Sequence, residues 1–367
     1  MKLLIDARTL GQKPSGVGMY LYRYAAGLAE QTENSLVLAT DVAESAELRE
    51  LGEKGGITLR VYGKSIGKGP SIWRYAAFLK KLTEETKPDI FWEPNNLLPI
   101  HFRNPYGKYV VTIHDVFPVT MPECYGRIYP PYFRYGVKRT LGCCDAVLYI
   151  SETARGEVEK HFPTAASREH LVGYIIVPPV AKQAEDRKDY FFYVGNLERR
   201  KGTDLLLAAY EKYLAAGGTR GLYLAGKVRE VEIQRQIDAL EAKTDKLRYL
   251  GYIDEDERDR RYAECRAFVF PSRAEGFGIP VIEALSCGTE VLASDLPVFR
   301  EIAGDALQYF ELDENEDVSA ARLTEAMMGW KREASDDRRE QRRQCAERYT
   351  PERLVPRVMS FFEELLA

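Results

Sequence analysis

A chain of 367 residues is too long for one ordinary hydrophobic core and points to two domains. Its 45% hydrophobic and 29% charged content is that of a soluble globular protein, and a formal net charge of −4 argues against a nucleic-acid binder held by bulk electrostatics. Six cysteines without a C-x-x-C pair, four scattered histidines and no apolar run of ~18 residues argue against a disulfide framework, a metal site and a membrane span. The opening "MKLLIDARTL" carries Asp6 and Arg8 where a signal peptide needs an apolar core. The expectation is a reduced, cytoplasmic protein.

In chain order, "KLLIDAR" (2–8) reads as a strand, followed by a helix from about Val17 to Ala29 in which Tyr20, Leu21, Tyr24 and Leu28 recur at helical spacing. Strands are expected at "SLVLATD", "ITLRVYG", "DIFWEPN", "YVVTIHD", "AVLYISE" and "LVGYIIV", with helical stretches such as "IWRYAAFLKKLTEE" between them. The alternation pauses at "PPVAKQAEDRKD" (178–189) and restarts with strand "YFFYVGN", helix "DLLLAAYEKYLAA", strand "GLYLAG", helix "EIQRQIDALEAK", strand "KLRYLGYI", a charged helix and strand "RAFVFPS". Strands alternating with helices predict parallel sheets with helical crossovers, in two halves joined near residue 180. Lys, Glu and Arg dominate 331–348, read as a solvated helix face, and "TPERLVPRVMSFFEELLA" is a closing helix.

The stretch "EGFGIPVIE" sets Glu275 and Glu283 around Gly276, Phe277, Gly278 and Pro280, directly after a buried strand. Such a turn leaves the carboxyl edge of a sheet, where doubly wound folds bind ligands. Gly276 and Gly278 allow close backbone approach and positive φ, and Pro280 suits the first turn of a helix whose free N–H groups favour phosphate. Glu275 in the loop could accept hydrogen bonds from sugar hydroxyls, and Glu283, about one turn into the helix, could hold two vicinal ribose hydroxyls. The plain alternative is a solvated Glu275 and a Glu283 that only complements the helix dipole.

This stretch resembles the E-x7-E pattern of retaining glycosyltransferases of family 4, which have the GT-B architecture of two Rossmann-like α/β domains with parallel sheets facing a central cleft. The resemblance continues through "YFFYVGNLERRKGTDLLLAAY", "LRYLGYIDEDERDRRYAECRAF", "SGVGMYLYRY", "VVTIHDV" and "AVLYISETAR", in family order over nearly the whole chain. It implies an acceptor-side domain at 1–178, a nucleotide-sugar domain at 179–348 and a terminal helix, 349–367, packed back on the first domain.

By the same resemblance, Glu275 contacts the donor sugar near its reacting end and Glu283 the nucleotide ribose. The backbone of Gly276, Phe277 and Gly278 lies against sugar and diphosphate. In "NLERRKG", Lys201 matches the family lysine on the diphosphate. Many members have Arg where this chain has Asn196, which leaves Arg200 as the substitute cation and Arg199 as the exposed one. His114, at the end of "VVTIHDV", would reach the donor sugar with Asp115 orienting it, on domain closure. "PSGVGMY" presents Gly16 and Val17 N–H groups to phosphate or acceptor; it lacks a complete G-x-G-x-x-G because position 21 is Leu. "DED" (254–256) opens a charged helix, so capping is expected there rather than a metal.

From 101 to 145 there are six Lys/Arg (Arg103, Lys108, Arg127, Arg134, Lys138, Arg139) against three acids (Asp115, Glu123, Asp145) amid many aromatics. That mixture suits a sugar or lipid-diphosphate acceptor, or peripheral contact with an anionic membrane at its inner face. It equally suits an aromatic-rich packed loop and helix. The resemblance implies transfer of a hexose, first mannose from GDP-mannose, to a glycan or lipid-linked acceptor in bacterial surface polysaccharide synthesis such as lipopolysaccharide. The anomeric configuration is retained, the nucleotide-sugar donor is a substrate, and no cofactor or metal is expected. A GT-B nucleotide-sugar epimerase, a non-catalytic binding subunit and a nicotinamide-dependent dehydrogenase are the competing readings.

Overall fold

The computed structural model describes residues 1–31, 34–66, 70–99, 104–163, 168–178, 187–330 and 336–367. The chain divides into two compact units, Met1–Ile175 with Pro351–Ala367, and Ile176–Thr350. The first boundary falls at 175/176, against the expected 178/179. Most of the expected linker, residues 179–186, lies outside the described residues, as does Arg103.

The first unit is a seven-stranded, all-parallel sheet. Its strands are β1 (Lys2–Asp6), β2 (Ser35–Thr40), β3 (Ile57–Val61), β4 (Ile90–Glu93), β5 (Lys108–Ile113), β6 (Ala146–Tyr149) and β7 (Glu169–Leu171), ordered β3-β2-β1-β4-β5-β6-β7. The second unit has β8 (Tyr190–Val194), β9 (Gly221–Ala225), β10 (Leu247–Tyr249), β11 (Ala267–Phe270), β12 (Val291–Ser294) and β13 (Gln308–Phe310), ordered β10-β9-β8-β11-β12-β13. Strands β4, β6, β11 and β12 are buried at every position, as expected of parallel strands covered on both faces. In each sheet the order reverses once, between β1 and β4 and between β8 and β11. That is where the carboxyl ends of neighbouring strands splay apart and open a crevice.

Two expectations are corrected. "LVGYIIV" is not a strand: β7 ends at Leu171, and the chain runs on as an irregular buried segment with Tyr174 and Ile175 packed inside. Its carbonyls are satisfied by side chains instead of a sheet ladder. Tyr24 Oη donates to Val172 O at 2.7 Å and Arg23 Nη1 to Ile175 O at 2.7 Å, both from the helix Gly16–Ala29. The charged run at 331–348 is not wholly solvated either. In the helix Asp336–Glu347, Arg342 is buried and donates from Nε to Gly288 O at 3.3 Å, and Cys345 is buried beside it.

The closing helix Pro351–Leu366 belongs to the first unit. Its apolar residues Leu354, Val355, Val358, Phe361, Phe362 and Leu365 are buried, and the Phe362 ring meets Trp92 edge-on at 5.8 Å. Gly27 lets the helix Gly16–Ala29 approach the closing helix at Val355: a Cβ there would lie 2.5 Å from Val355 Cγ2.

Candidate active site

In the second unit two loops leave the carboxyl ends of β8 and β11, on either side of the reversal. The first passes through a short 3-10 turn, Arg199–Lys201, and ends at Gly202 in the left-handed region (φ 69°, ψ 23°), where the helix Thr203–Ala215 begins. A Cβ on Gly202 would sit 1.9 Å from Pro271 O, so glycine is what lets the two loops touch. Arg273 N–H donates to Arg200 O at 2.9 Å and ties them together.

That contact joins Lys201 to Glu275. Lys201 Nζ lies 2.6 Å from Glu275 Oε1, and Ser272 Oγ donates to the same oxygen at 2.8 Å. The carboxylate side chain is 6% exposed and the ammonium 16%, so this is a largely desolvated, charge-assisted pair. Lys201 Nζ also stands 5.5 Å from the centroid of the Phe270 ring.

The neighbouring cations are already committed. Arg200 Nη2 pairs with Glu198 Oε1 at 2.7 Å and its Nη1 donates to Ala274 O at 3.1 Å. The expected role of Arg200 as a substitute phosphate cation therefore requires an exchange of partners. Arg199 is exposed, as expected, and pairs with Glu316 at 2.5 Å. Asn196 accepts Arg229 Nε–H on Oδ1 at 3.2 Å, and its carbonyl accepts Tyr193 Oη–H at 2.9 Å, which fixes the loop after β8.

Of the two glycines in "GFG", only Gly278 takes positive φ (103°), correcting the expectation for Gly276. A Cβ on Gly278 would lie 2.6 Å from Phe299 Cε1, so both φ and packing demand glycine. Gly278 opens the helix Ile279–Ser286, with proline in its first turn and no side chain capping it. Pro280 has no N–H and Val281 N–H already donates to Gly278 O at 3.0 Å, which leaves the amide of Ile279 at the positive end of this helix. The Phe277 side chain is buried and meets Tyr349 edge-on at 5.2 Å, so Phe277 offers a ligand its backbone only.

Glu283 is on this helix and is 9% exposed. Its Oε1 is 3.3 Å from Arg258 Nη1, on the helix Glu255–Glu264, and Arg258 Nη2 is 2.9 Å from Asp259 Oδ1. Although burial works against the charge, Glu283, Asp259 and Glu255 hold the Arg258 guanidinium above its ordinary pKa range. Asp254 caps the same helix through Oδ1, which accepts Glu257 N–H at 2.8 Å.

The first unit carries the remaining expected residues. Gly16 and Val17 open the helix Gly16–Ala29, with Gly16 exposed and no side-chain cap at Ser15. His114, just after β5, is buried with both ring nitrogens engaged. Nε2 is 2.6 Å from Pro94 O and Nδ1 2.5 Å from Tyr174 Oη. A carbonyl only accepts, so Nε2 carries the proton and Nδ1 accepts from Tyr174. Asp115 does not orient the ring, as was expected of it; its Oδ1 accepts Phe117 N–H at 3.2 Å.

Burial pulls the His114 pKa down to about 4, with the Pro94 hydrogen bond opposing. A histidine ordinarily titrates near 6.5, so between these values the unfolded chain binds the extra proton and the folded one does not. The stability His114 contributes is whole above about pH 6.5 and falls by roughly 3 kcal/mol as the pH drops toward 4. Denaturant titrations from pH 7 to 4 should show this loss, and His114→Gln should flatten the slope by one proton. An unchanged slope in the variant would refute the assignment.

With the geometry established, comparison with known proteins identifies the fold. Residues 14–173 match Glycosyltransferase Family 4, and residues 179–348 match Glycosyl transferases group 1. The chain belongs to glycosyltransferase family 4. This glycosyltransferase is 27% identical over 345 residues to the O-antigen chain mannosyltransferase B of Escherichia coli, covering 83% of this chain and 85% of the relative. It is 23% identical over 326 residues to the O-antigen chain mannosyltransferase RfbU of Salmonella typhimurium, covering 87% and 89%. Among solved structures, sucrose-phosphate synthase from Thermosynechococcus elongatus superposes with a TM-score of 0.75 at 18% identity, covering 99% of this chain and 98% of that one. The fold is GT-B, with two Rossmann-like parallel-sheet domains.

Sequence reasoning missed several residues that build the glycosyltransferase's second-unit site. Ser272, the second donor to Glu275, and Arg258, the partner of Glu283, carry no spacing that predicts these contacts. Arg273 grips Asp204 with two hydrogen bonds, at 2.7 and 2.9 Å, and so buttresses the loop that carries Lys201. The acidic and basic alternation of "DEDERDRRYAEC" was the available signal for Arg258, because a helix that charged needs partners for whichever side chains it buries. Among the described residues no helix is long and apolar enough to cross a membrane.

Proposed function

We propose that this glycosyltransferase moves a hexose, mannose first, from a nucleoside diphosphate donor, GDP-mannose first, to a hydroxyl of a glycan or lipid-linked acceptor in bacterial surface polysaccharide synthesis, with retention at the anomeric carbon. The Glu275–Lys201 pair at the β8/β11 reversal carries this reading. The O-antigen mannosyltransferases it resembles along most of its length support the choice of sugar and pathway class.

In this reading the donor diphosphate lies against the backbone from Gly276 to the Ile279 amide, and Glu283 holds the ribose. As the bond from C1 to the diphosphate oxygen breaks, negative charge grows on the leaving group. Lys201 and the Ile279 amide at the helix start stabilise it, an effect worth ~10²–10³ in rate for a single well-placed donor. Arg200 joins by releasing Glu198. Glu275 orients the sugar while fixing Lys201. The acceptor hydroxyl attacks C1 on the face the nucleotide leaves and gives its proton to a diphosphate oxygen. Bonds and charge balance with no metal ion and no enzyme nucleophile.

Thermal unfolding with GDP, UDP, ADP, dTDP and NAD, each with and without chelator, tests the donor assignment. GDP at a hundredfold excess over its dissociation constant should stabilise the fold by about 2.7 kcal/mol, unchanged by chelator. A shift with NAD alone, or with none, would overturn the reading. NMR of the product's anomeric proton decides retention.

A further inference from the structure

The first unit has its own reversal, between β1 and β4. Ile5 pairs with Trp92 across it, so Asp6 and Glu93 end the two strands side by side. A cavity of about 200 Å³ opens there, lined by Arg8, Tyr75, Glu93, Asn96, Tyr129 and Tyr132 among others. A cavity of about 150 Å³ holds one benzene, so this one has room for a single six-membered ring and its substituents.

Of the two carboxyl groups at this reversal, Glu93 lines the cavity and Asp6 bonds to two of the lining residues, Arg8 and Tyr75; they are used unequally. Asp6 is saturated: Arg8 Nε lies 2.9 Å from each of its oxygens, Arg8 Nη2 is 2.7 Å from Oδ2, and Tyr75 Oη donates to Oδ1 at 3.1 Å. Glu93 is 2% exposed and only half satisfied. Its Oε1 accepts Asn95 N–H at 3.1 Å, but Oε2 has no hydrogen-bond partner, the Arg8 guanidinium being 3.8 Å away. A buried polar atom left unpaired costs ~1–3 kcal/mol, and a leucine in its place would avoid that cost. Asn96 adds a second open group: held at φ 56°, it accepts His114 N–H on Oδ1 at 2.8 Å, while its amide nitrogen has no partner among the described residues.

We propose that this cavity is a sugar subsite, in which Glu93 Oε2 and the Asn96 amide hydrogen-bond hydroxyls of an uncharged pyranose whose ring lies against Tyr129 and Tyr132. The inference rests on the transferase reading and deepens it by naming the acceptor end as a neutral glycan residue rather than a lipid diphosphate. The charge in the wall decides between those two. Arg8 is the lining's one cation among the described residues and is committed to Asp6, so a diphosphate would meet carboxyl oxygens without a free counter-charge. Burial, together with the charge of Asp6, also holds the Glu93 carboxyl well above the usual carboxylate range, an environment that disfavours added negative charge. Tyr129 and Tyr132 are 43% and 46% exposed, leaving aromatic face available for the C–H edge of a sugar ring.

The test uses the full chain and saturation-transfer NMR with the methyl pyranosides of mannose, glucose, galactose and rhamnose, and with mannose 6-phosphate. At least one neutral pyranoside should bind, more tightly than the phosphorylated sugar. Glu93→Leu should weaken that binding at least tenfold, yet unfold at the same temperature as the parent or higher, because an unpaired buried oxygen has gone. Glu93→Gln, which keeps a donor and an acceptor, should bind within about threefold of the parent. Tighter binding of the phosphate, no binding of any pyranoside, equal binding by Glu93→Leu, or loss of its fold would each overturn the proposal. The nucleoside diphosphate shift measured on the same samples reports on the second unit. Failure of the sugar subsite with that shift intact is thereby distinguished from failure of the transferase reading itself.

Discussion

Replacing Glu275 with alanine should lower the transfer rate about a thousandfold, equivalent to ~4 kcal/mol of barrier, while GDP affinity stays within about threefold. The carboxylate holds Lys201 Nζ at 2.6 Å and accepts from Ser272 on the same oxygen. Removing it takes away the group assigned to the sugar and frees the ammonium to collapse onto any phosphate in reach. Nucleotide binding therefore survives while the reacting carbon loses its orientation. Glu275→Gln separates the two functions, because it keeps the shape and the Ser272 hydrogen bond but not the charge that pairs with Lys201. Steady-state kinetics with GDP-mannose, alongside GDP titration calorimetry, checks the pair of variants. Undiminished turnover in Glu275→Ala would overturn the assignment.

The second large effect should come from Gly202→Ala, which removes no functional group. Its backbone is left-handed, a cost of ~1–2 kcal/mol for a residue with a Cβ, and the new carbon would stand 1.9 Å from Pro271 O. Moving the two loops apart to relieve that overlap brings the total to roughly 3 kcal/mol or more. For a unit of this size that is about 6–12 °C in unfolding temperature. Activity should fall with it, because the movement separates Lys201 from Glu275. Gly217→Ala is the control: its φ is also positive, 88°, but a Cβ there meets nothing within 4 Å. It should lose only the conformational part, and equal losses at the two positions would show that the Gly202–Pro271 contact yields without strain.

These predictions turn on contacts of different legibility. The alternation of strands and helices was readable because each strand of a parallel sheet is a short apolar run and each crossover helix has its own 3.6-residue period. Where that regularity failed, the cause was an apolar run without a ladder. "LVGYIIV" has the composition of a strand, but Tyr24 and Arg23, some 150 positions earlier, satisfy its carbonyls and leave it irregular. Arg342 was read as solvated within a run of charges because nothing local says that Gly288 O waits for it.

The sequence by itself determined the two doubly wound halves, the glycine-bounded turns after β8 and β11, and the residue types able to hold a diphosphate and a sugar there. All of these depend on neighbours a few positions apart along the chain. Only the tertiary structure decided which of those residues meet. Lys201 and Glu275 are 74 positions apart and touch because Gly202 lacks a Cβ. Glu283 is paired with Arg258, Arg200 is held by Glu198 and Ala274, and both ring nitrogens of His114 are occupied. Asp6 and Glu93 end side by side because β1 and β4, paired 87 residues apart at Ile5 and Trp92, lie adjacent at a strand-order reversal, and adjacency across a sheet is set by crossover topology rather than by anything written locally in either strand.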